Sequence, residues 1–370
     1  MRALVAAVAL LWVGAQAVWA AQGAGASEVA VANAVLAGRV VASPPAQVMN
    51  ATGVWQSGWQ NSPWETVEAK SVTEAALQLQ FFTAGERGGE VQMLHDLRRE
   101  RVHVADLSLH TLLSVVPELS VVLAPYVFAS DDELLFVFEN YLRNTISDLL
   151  AEKNLLLVQW LDVRPLGIYS AHPLPLADSE RQPRLGGVSN RASKLFFKTM
   201  GMRVVPADDL QFRVSPRHGL DGRFCAVLTH CLGFFAPPPQ NAALGSQRAH
   251  LLLTRHSYDI GLVVANKHWF DSATKSQQQA LRRVFRYSPV ARRAVLAAQE
   301  AVLAAPGISG LKITDLSAEQ AHHWRDVAAT LLPQFVDGVG GSAAEVWAVI
   351  QAGQRAYAAQ QRRANVGSAQ

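Results

Sequence analysis

Asp106, Ser108 and His110 stand at alternate positions beside an alternating apolar run, Val102, Val104 and Leu107. A strand that opens into a loop with a carboxylate, a hydroxyl and an imidazole is where open α/β folds meet their ligands. The remaining chemistry-bearing residues do not extend this set into a catalytic one. No Gly-x-Ser-x-Gly elbow occurs, although Gly310, Gly340 and Gly341 lie near serines. His256, His268 and the pair His322-His323 are scattered and lack partners at ligand spacing, so each reads as a surface or structural histidine. Gly85–Gly89 is glycine-rich but lacks the following Lys-Ser/Thr of a phosphate loop. Asp131-Asp132 falls at a helix start and Asp208-Asp209 in a loop; near a helix N-terminus a carboxylate needs no catalytic account. Cys225 and Cys231 suit either a disulfide closing a small loop or two buried thiols, and they make no zinc site. No metal, cofactor or enzymatic activity is expected.

The elements that must position these residues are legible from period and punctuation. The chain has 370 residues, half of them apolar and 17% charged, which suits two domains with sizeable cores. Net charge is +3, and the basic residues are interrupted, as at Arg98–Arg101 and Arg282–Arg283, which argues against a nucleic-acid surface. Arg2, the apolar run Ala3–Val13 and the small residues before Ala20 read as a cleaved targeting segment, 1–20, followed by a loose leader, 21–47. The expected address is therefore the periplasm. Val54–Trp59 is expected as the first strand, and Ser62-Pro63-Trp64-Glu65 as the start of a helix. A strand at Leu77–Phe82 follows, then a helix marked by Val91, Leu94 and Leu97. Ser130 with Glu133 opens a long amphipathic helix, and Leu155–Trp160 is a strand covered on both faces. Beyond a proline-rich stretch, Ser189 or Asn190 caps a helix through Met200. Short strands are expected at Met202–Val205, Leu251–Leu253, Gly261–Ala265 and Leu311–Thr314. A helical tract covers Lys275–Ala304, Ser317 with Gln320 caps another helix, and a last one begins at Ser342. Strands alternating with helices predict an α/β fold with parallel or mixed sheets. Nine tryptophans either pack the core or line an aromatic cleft.

In order and spacing these segments resemble the extracytoplasmic solute-binding proteins of tripartite ATP-independent periplasmic (TRAP) transporters, of the dicarboxylate-binding type. The resemblance runs from about Val54 to Phe335. It is carried by Trp55-Gln56 with Ser62-Pro63-Trp64, by Gly88-Gly89-Glu90, by Val104-Ala105-Asp106-Leu107-Ser108, by Pro117-Glu118-Leu119 and by Ala124-Pro125-Tyr126-Val127-Phe128. Later come Leu253-Thr254-Arg255-His256-Ser257-Tyr258-Asp259 and Asn266-Lys267-His268-Trp269-Phe270-Asp271. The resemblance implies a two-lobe, class II-like α/β protein with mixed sheets, a hinge and a long helix spanning both lobes. Lobe I would comprise 48–163 plus 253–288, and lobe II 164–252 plus 289–370. It implies capture of a small organic solute in an interlobe cleft and delivery to TRAP membrane permease subunits. A degenerate solute-binding fold acting as a periplasmic sensor or interaction protein is the alternative. The ligand-binding residues implied are Trp55, Gln56, Ser108, His110, Tyr126, Phe128, Trp160, Asp162, Arg164, Asn190 and Arg191. The chain departs from the family where a carboxylate-holding Arg is frequent: those positions fall beside Gly187 and at Leu166, with Arg164 two residues earlier. Because a bidentate Arg is the natural carboxylate clamp, an organic-acid ligand is put in question.

Overall fold

The computed structural model describes residues 47–53, 77–82, 88–170, 172–174, 182–187, 190–205, 220–226, 249–285 and 311–367. The chain divides into two compact units. Unit 1 is Met1–Asp106 with Val263–Ser309, and unit 2 is Leu107–Leu262 with Gly310–Gln370.

In unit 1, β1 (Gln47–Gly53) pairs in parallel with β2 (Leu77–Phe82) and with β3 (Val104–Ser108), which continues into unit 2 after Asp106. The expected strand Val54–Trp59 and the expected Ser62 helix start lie outside the described residues; β1 itself is not among the expected strands. The strand at Leu77–Phe82 is as expected. Helix α1 (Glu90–Arg98) forms where expected, but it buries Met93, Leu94, Asp96 and Leu97 and leaves Val91 77% exposed. Of the three residues whose spacing marks this helix, Leu94 and Leu97 face inward together with Met93, and only Val91 faces out. Asp96 is tolerated inside because Gln92 Nε2 donates to it at 3.0 Å and Arg101 at 3.4 Å.

Unit 2 starts with α2 (Leu109–Leu112) and a 3-10 turn, Pro117–Val121. The expected long helix follows in three parts: α3 (Asp131–Val137), a π turn (Phe138–Leu142) and α4 (Arg143–Ala151). Ser130 caps it by accepting from Glu133 N–H at 3.2 Å, while Glu133 reaches back to Ala129 N–H. Then β4 (Leu155–Ser170) runs through sixteen residues, well past the expected end at Trp160. The other elements are β5 (Arg184–Gly186), α5 (Arg191–Thr199), β6 (Arg203–Val205), β7 (Gly222–Ala226), β8 (Ala249–Leu253) and β9 (Tyr258–Asn266). After Leu262, β9 passes back into unit 1 and leads to α6 (Lys267–Ser272) and α7 (Lys275–Val284). Unit 2 is completed by β10 (Leu311–Asp315), α8 (Ala318–Val339) and α9 (Ala343–Gly367). Ser317 and Gln320 form the expected capping box.

The unit 2 sheet is mixed. β4 lies between β7 and β8, antiparallel to both; β10 is parallel to β8, and β5 is parallel to β7 and β6. One sheet face presents Ile168, Leu185, Phe224 and Leu252 to Phe196, Phe197, Trp324 and Ala328 of α5 and α8. Fully burying aromatic and aliphatic side chains of this size stabilises by about 1.5–3 kcal/mol each, so these two helices are held mainly by that face. The opposite face carries Tyr169, Leu251, Leu253 and Cys225, which is disulfide-bonded. No described helix is long and apolar enough to cross a membrane.

Candidate functional site

The segment Thr254–Ser257, between β8 and β9, is a densely hydrogen-bonded polar turn of unit 2. Thr254, His256 and Ser257 are all buried. Thr254 Oγ1 lies 2.7 Å from His256 Nδ1 and 3.3 Å from the Leu166 carbonyl. His256 is wedged edge-on against Phe197, at 4.9 Å between centroids, and tilted at 54° against Phe224 at 5.3 Å. Burial, with a smaller contribution from neighbouring His110, pushes its imidazole down to about 3, so the ring is neutral. A positive φ of 45° at Arg255 turns the chain so that Arg255 N–H reaches the Leu166 carbonyl at 2.9 Å.

Two of the expected ligand residues plug into this segment. Tyr126, itself at φ 54°, donates its backbone N–H to the His256 carbonyl at 2.7 Å and its hydroxyl to the Thr254 carbonyl at 2.9 Å. Its ring meets Phe196 edge-on at 6.0 Å, and the Arg325 guanidinium sits 5.8 Å above it. Burial raises the phenol well above its ordinary range, with Arg325 opposing. Asn190 is buried and does two jobs: its carbonyl oxygen accepts from Ser193 N–H at 2.8 Å, capping α5, and its amide donates to the Leu123 carbonyl at 3.2 Å. Ser257 Oγ donates to the same carbonyl at 2.8 Å. The stretch Leu123–Tyr126, the start of α5, and the Thr254–Ser257 turn are thereby locked together.

The other expected residues are placed as follows. Ser108 ends β3 and caps α2, accepting from Thr111 N–H at 3.2 Å, and His110 lies on α2, close enough to influence His256. Phe128 is buried. Trp160 is buried too, packing at 5.7 Å on Phe138 and donating its indole N–H to Glu139 at 2.6 Å. Asp162 and Arg164 lie on β4. Arg191 points the other way from Asn190: exposed, it donates to the Gly338 carbonyl at 2.8 Å. Trp55 and Gln56 lie outside the described residues. Sequence reasoning assigned no site role to Thr254, His256 and Ser257. Their signal was a run of polar residues between two apolar strands. At the two positions where a clamp-forming arginine would be expected, Leu166 uses its backbone N–H and carbonyl within the fold, and Gly187 has φ 133° with Phe224 3.4 Å from where a Cβ would stand. Arg223 on β7, opposite Tyr169 and Gly186, is the buried cation among the described residues, at 4% exposure.

Residues 64–175 match the family described as bacterial extracellular solute-binding protein, family 7. A curated solute-binding protein of Chromohalobacter salexigens is 22% identical over 38% of this chain, and the match spans 42% of that protein's length. Among solved structures, a TRAP periplasmic solute-binding protein of Roseobacter denitrificans with bound β-D-glucuronate is similar at a TM-score of 0.70 and 15% identity, covering 83% of this chain and 99% of that one. The ectoine-binding protein of the TeaABC TRAP transporter of Halomonas elongata gives 0.67 at 16% identity, over 84% and 100%. One from Ochrobactrum anthropi, whose C-terminus occupies its ligand-binding pocket, gives 0.68 at 18%, over 83% and 95%. The chain thus matches the extracellular solute-binding protein family 7 model over residues 64–175 and is similar in its α/β fold to the TRAP periplasmic solute-binding proteins.

Proposed function

We propose that this chain is a periplasmic receptor that captures a small organic solute and delivers it to the membrane subunits of a TRAP transporter. It carries out no catalytic step. The observation that carries the reading is the solute-binding fold joined to the family segment at residues 64–175. Solved relatives hold glucuronate and galactonate, and one binds ectoine. The solute contacts we assign in unit 2 come from Ser108 at the end of β3, from His110 on α2, from the Tyr126–Phe128 stretch, and from Asp162 and Arg164 on β4. Trp160 and Asn190 support these segments through Glu139 and Leu123. With Leu166 and Gly187 lacking any cationic group, the solute is less acidic than a dicarboxylate, and its recognition leans on apolar and neutral polar contacts.

The test is thermal unfolding of the mature chain against organic acids, aromatic compounds and amphipathic solutes. A true ligand at roughly a hundred times its dissociation constant adds about 2.7 kcal/mol, a shift of about 5–10 °C for a domain of this size. No shift across the panel overturns the receptor reading and favours the sensor or interaction protein. If Arg164 supplies the clamp, Arg164→Ala abolishes binding of any carboxylate ligand while the unliganded melting temperature holds; unchanged carboxylate affinity removes Arg164 from the site.

A further inference from the structure

A second feature of unit 2 lies outside the solute contacts assigned above and includes Arg191, whose guanidinium is turned toward Gly338. Between α5 and α8 runs an open groove of about 270 Å³, lined by Arg191, Lys194, Leu195, Lys198, Gln334 and Phe335. Arg191, Lys194 and Lys198 stand at i, i+3 and i+7 of α5, which aligns them along one face of the helix. All three are exposed, whereas Phe335 is buried and Leu195 half-buried, so the groove has a basic rim and an apolar floor. From Arg181 to Ala207 the sequence contains Arg181, Arg184, Arg191, Lys194, Lys198 and Arg203 and no acidic residue. Among the described residues neither Lys194 nor Lys198 is in an ion pair, and none joins them to Asp337, the acid of α8 next to the groove in sequence. Arg191 is pinned by the Gly338 carbonyl, which fixes one end of the cationic row.

We propose that this groove docks a short acidic peptide segment of a partner protein, with one large apolar side chain seated over Leu195 and Phe335 and carboxylates flanking it toward Lys194 and Lys198. The charge complementarity chooses an acidic partner. The concave apolar floor, of a volume that takes a single large side chain, chooses a peptide over a bilayer. Three cations also fall short of the clusters of roughly four to eight that hold anionic membranes. Such a contact would raise the association rate and be sensitive to salt. It stands whether or not the protein proves to be a solute receptor.

The experiment uses the full mature chain and a fluorescein-labelled fifteen-residue peptide with one central Phe and Asp or Glu at every third or fourth position. Anisotropy should show binding that weakens about tenfold between roughly 50 and 500 mM NaCl. Lys194→Glu/Lys198→Glu should abolish it, the milder Lys194→Gln/Lys198→Gln should weaken it at least tenfold, and Phe→Ser in the peptide should do likewise. No binding, or binding indifferent to these changes, overturns the proposal. So does binding to phosphatidylglycerol vesicles, with the same lysine dependence, in place of the peptide. Far-ultraviolet circular dichroism verifies that both double variants are folded. The solute screen run on the same proteins separates the two ideas: a solute shift kept by a variant that has lost the peptide leaves the receptor reading intact, and peptide binding without any solute shift leaves the groove intact.

Discussion

At the scale of the residue, His256 links burial to acid stability. Its folded-state value of about 3 lies below the ordinary 6.5, because the neutral ring is buried against Phe197 and Phe224 with Thr254 at its Nδ1. Below pH 6.5 the unfolded chain takes up a proton that the folded chain refuses. The stabilisation is therefore fully present above 6.5 and is lost as pH falls toward 3, by an amount on the order of a few kcal/mol. His256→Gln should be less stable than the native chain at pH 7.5, yet its melting temperature should fall less between pH 7 and pH 4. Parallel pH curves for the two proteins would rule this out. Gly341 makes a second residue-level case. It sits at φ 53°, and a Cβ there would lie 2.5 Å from Glu118 Oε1. Gly341→Ala should cost about 1–3 kcal/mol through the strained backbone and the collision. Chemical denaturation measures it, and adding Glu118→Ala should recover only the steric share.

At the scale of the element, legibility followed the strength of local punctuation. Ser317 with Gln320, Ser130 with Glu133, and Asn190 before α5 were readable because a cap needs particular side chains at particular spacings. β1 was not readable: Gln47–Gly53 mixes polar, small and apolar residues with no clean alternation. Asn190 shows how a cap also serves the tertiary structure. Asn190→Ala removes the N-cap and the bond to Leu123 together, so it should cost about 2–3 kcal/mol, more than an exposed cap, whereas Asn190→Asp should keep the cap and lose the donor. Equal losses from the two variants would show that the Leu123 bond carries all of the effect. Around the candidate site, Tyr126 and Asn190 stood out in the sequence, but the carbonyls they bond, those of Thr254 and His256 for Tyr126 and that of Leu123 for Asn190, are backbone groups that a sequence does not mark.

For the whole molecule, where sequence reasoning expects lobe exchanges after Val163, Leu252 and Ser288, the chain exchanges between compact units after Asp106, Leu262 and Ser309. The first two exchanges lie inside β3 and β9, so neither composition nor a loop marks them. Unit 2 takes Trp324 and Ala328 from beyond the last exchange to close the core over Phe196 and Phe197. A chain joining 107–262 to 310–370 should therefore show the near-ultraviolet dichroism of packed aromatic rings, and 107–262 alone should not. A well-packed spectrum from the shorter piece would show that α8 is dispensable to that core.

The π turn between α3 and α4 has a consequence in helical phase. Leu134, Phe138, Leu142, Ile146 and Leu150 are all fully buried, and they recur every four residues. In an unbroken α-helix each such step overshoots a turn by ~40°, so five positions would wander about 160° around the cylinder. The wide turn at Phe138–Leu142 takes up about 100° of that excess, as one surplus residue in an otherwise regular rod. Removing Asn140 should then leave the five positions at 4, 3, 4 and 4, the cadence of a straight helix, with the apolar row still facing inward. Removing Ser147 should swing Leu149 and Leu150 off the row. A deletion at 140 should cost markedly less in melting temperature than one at 147, an unusual tolerance for the loss of a residue from the middle of a buried helix.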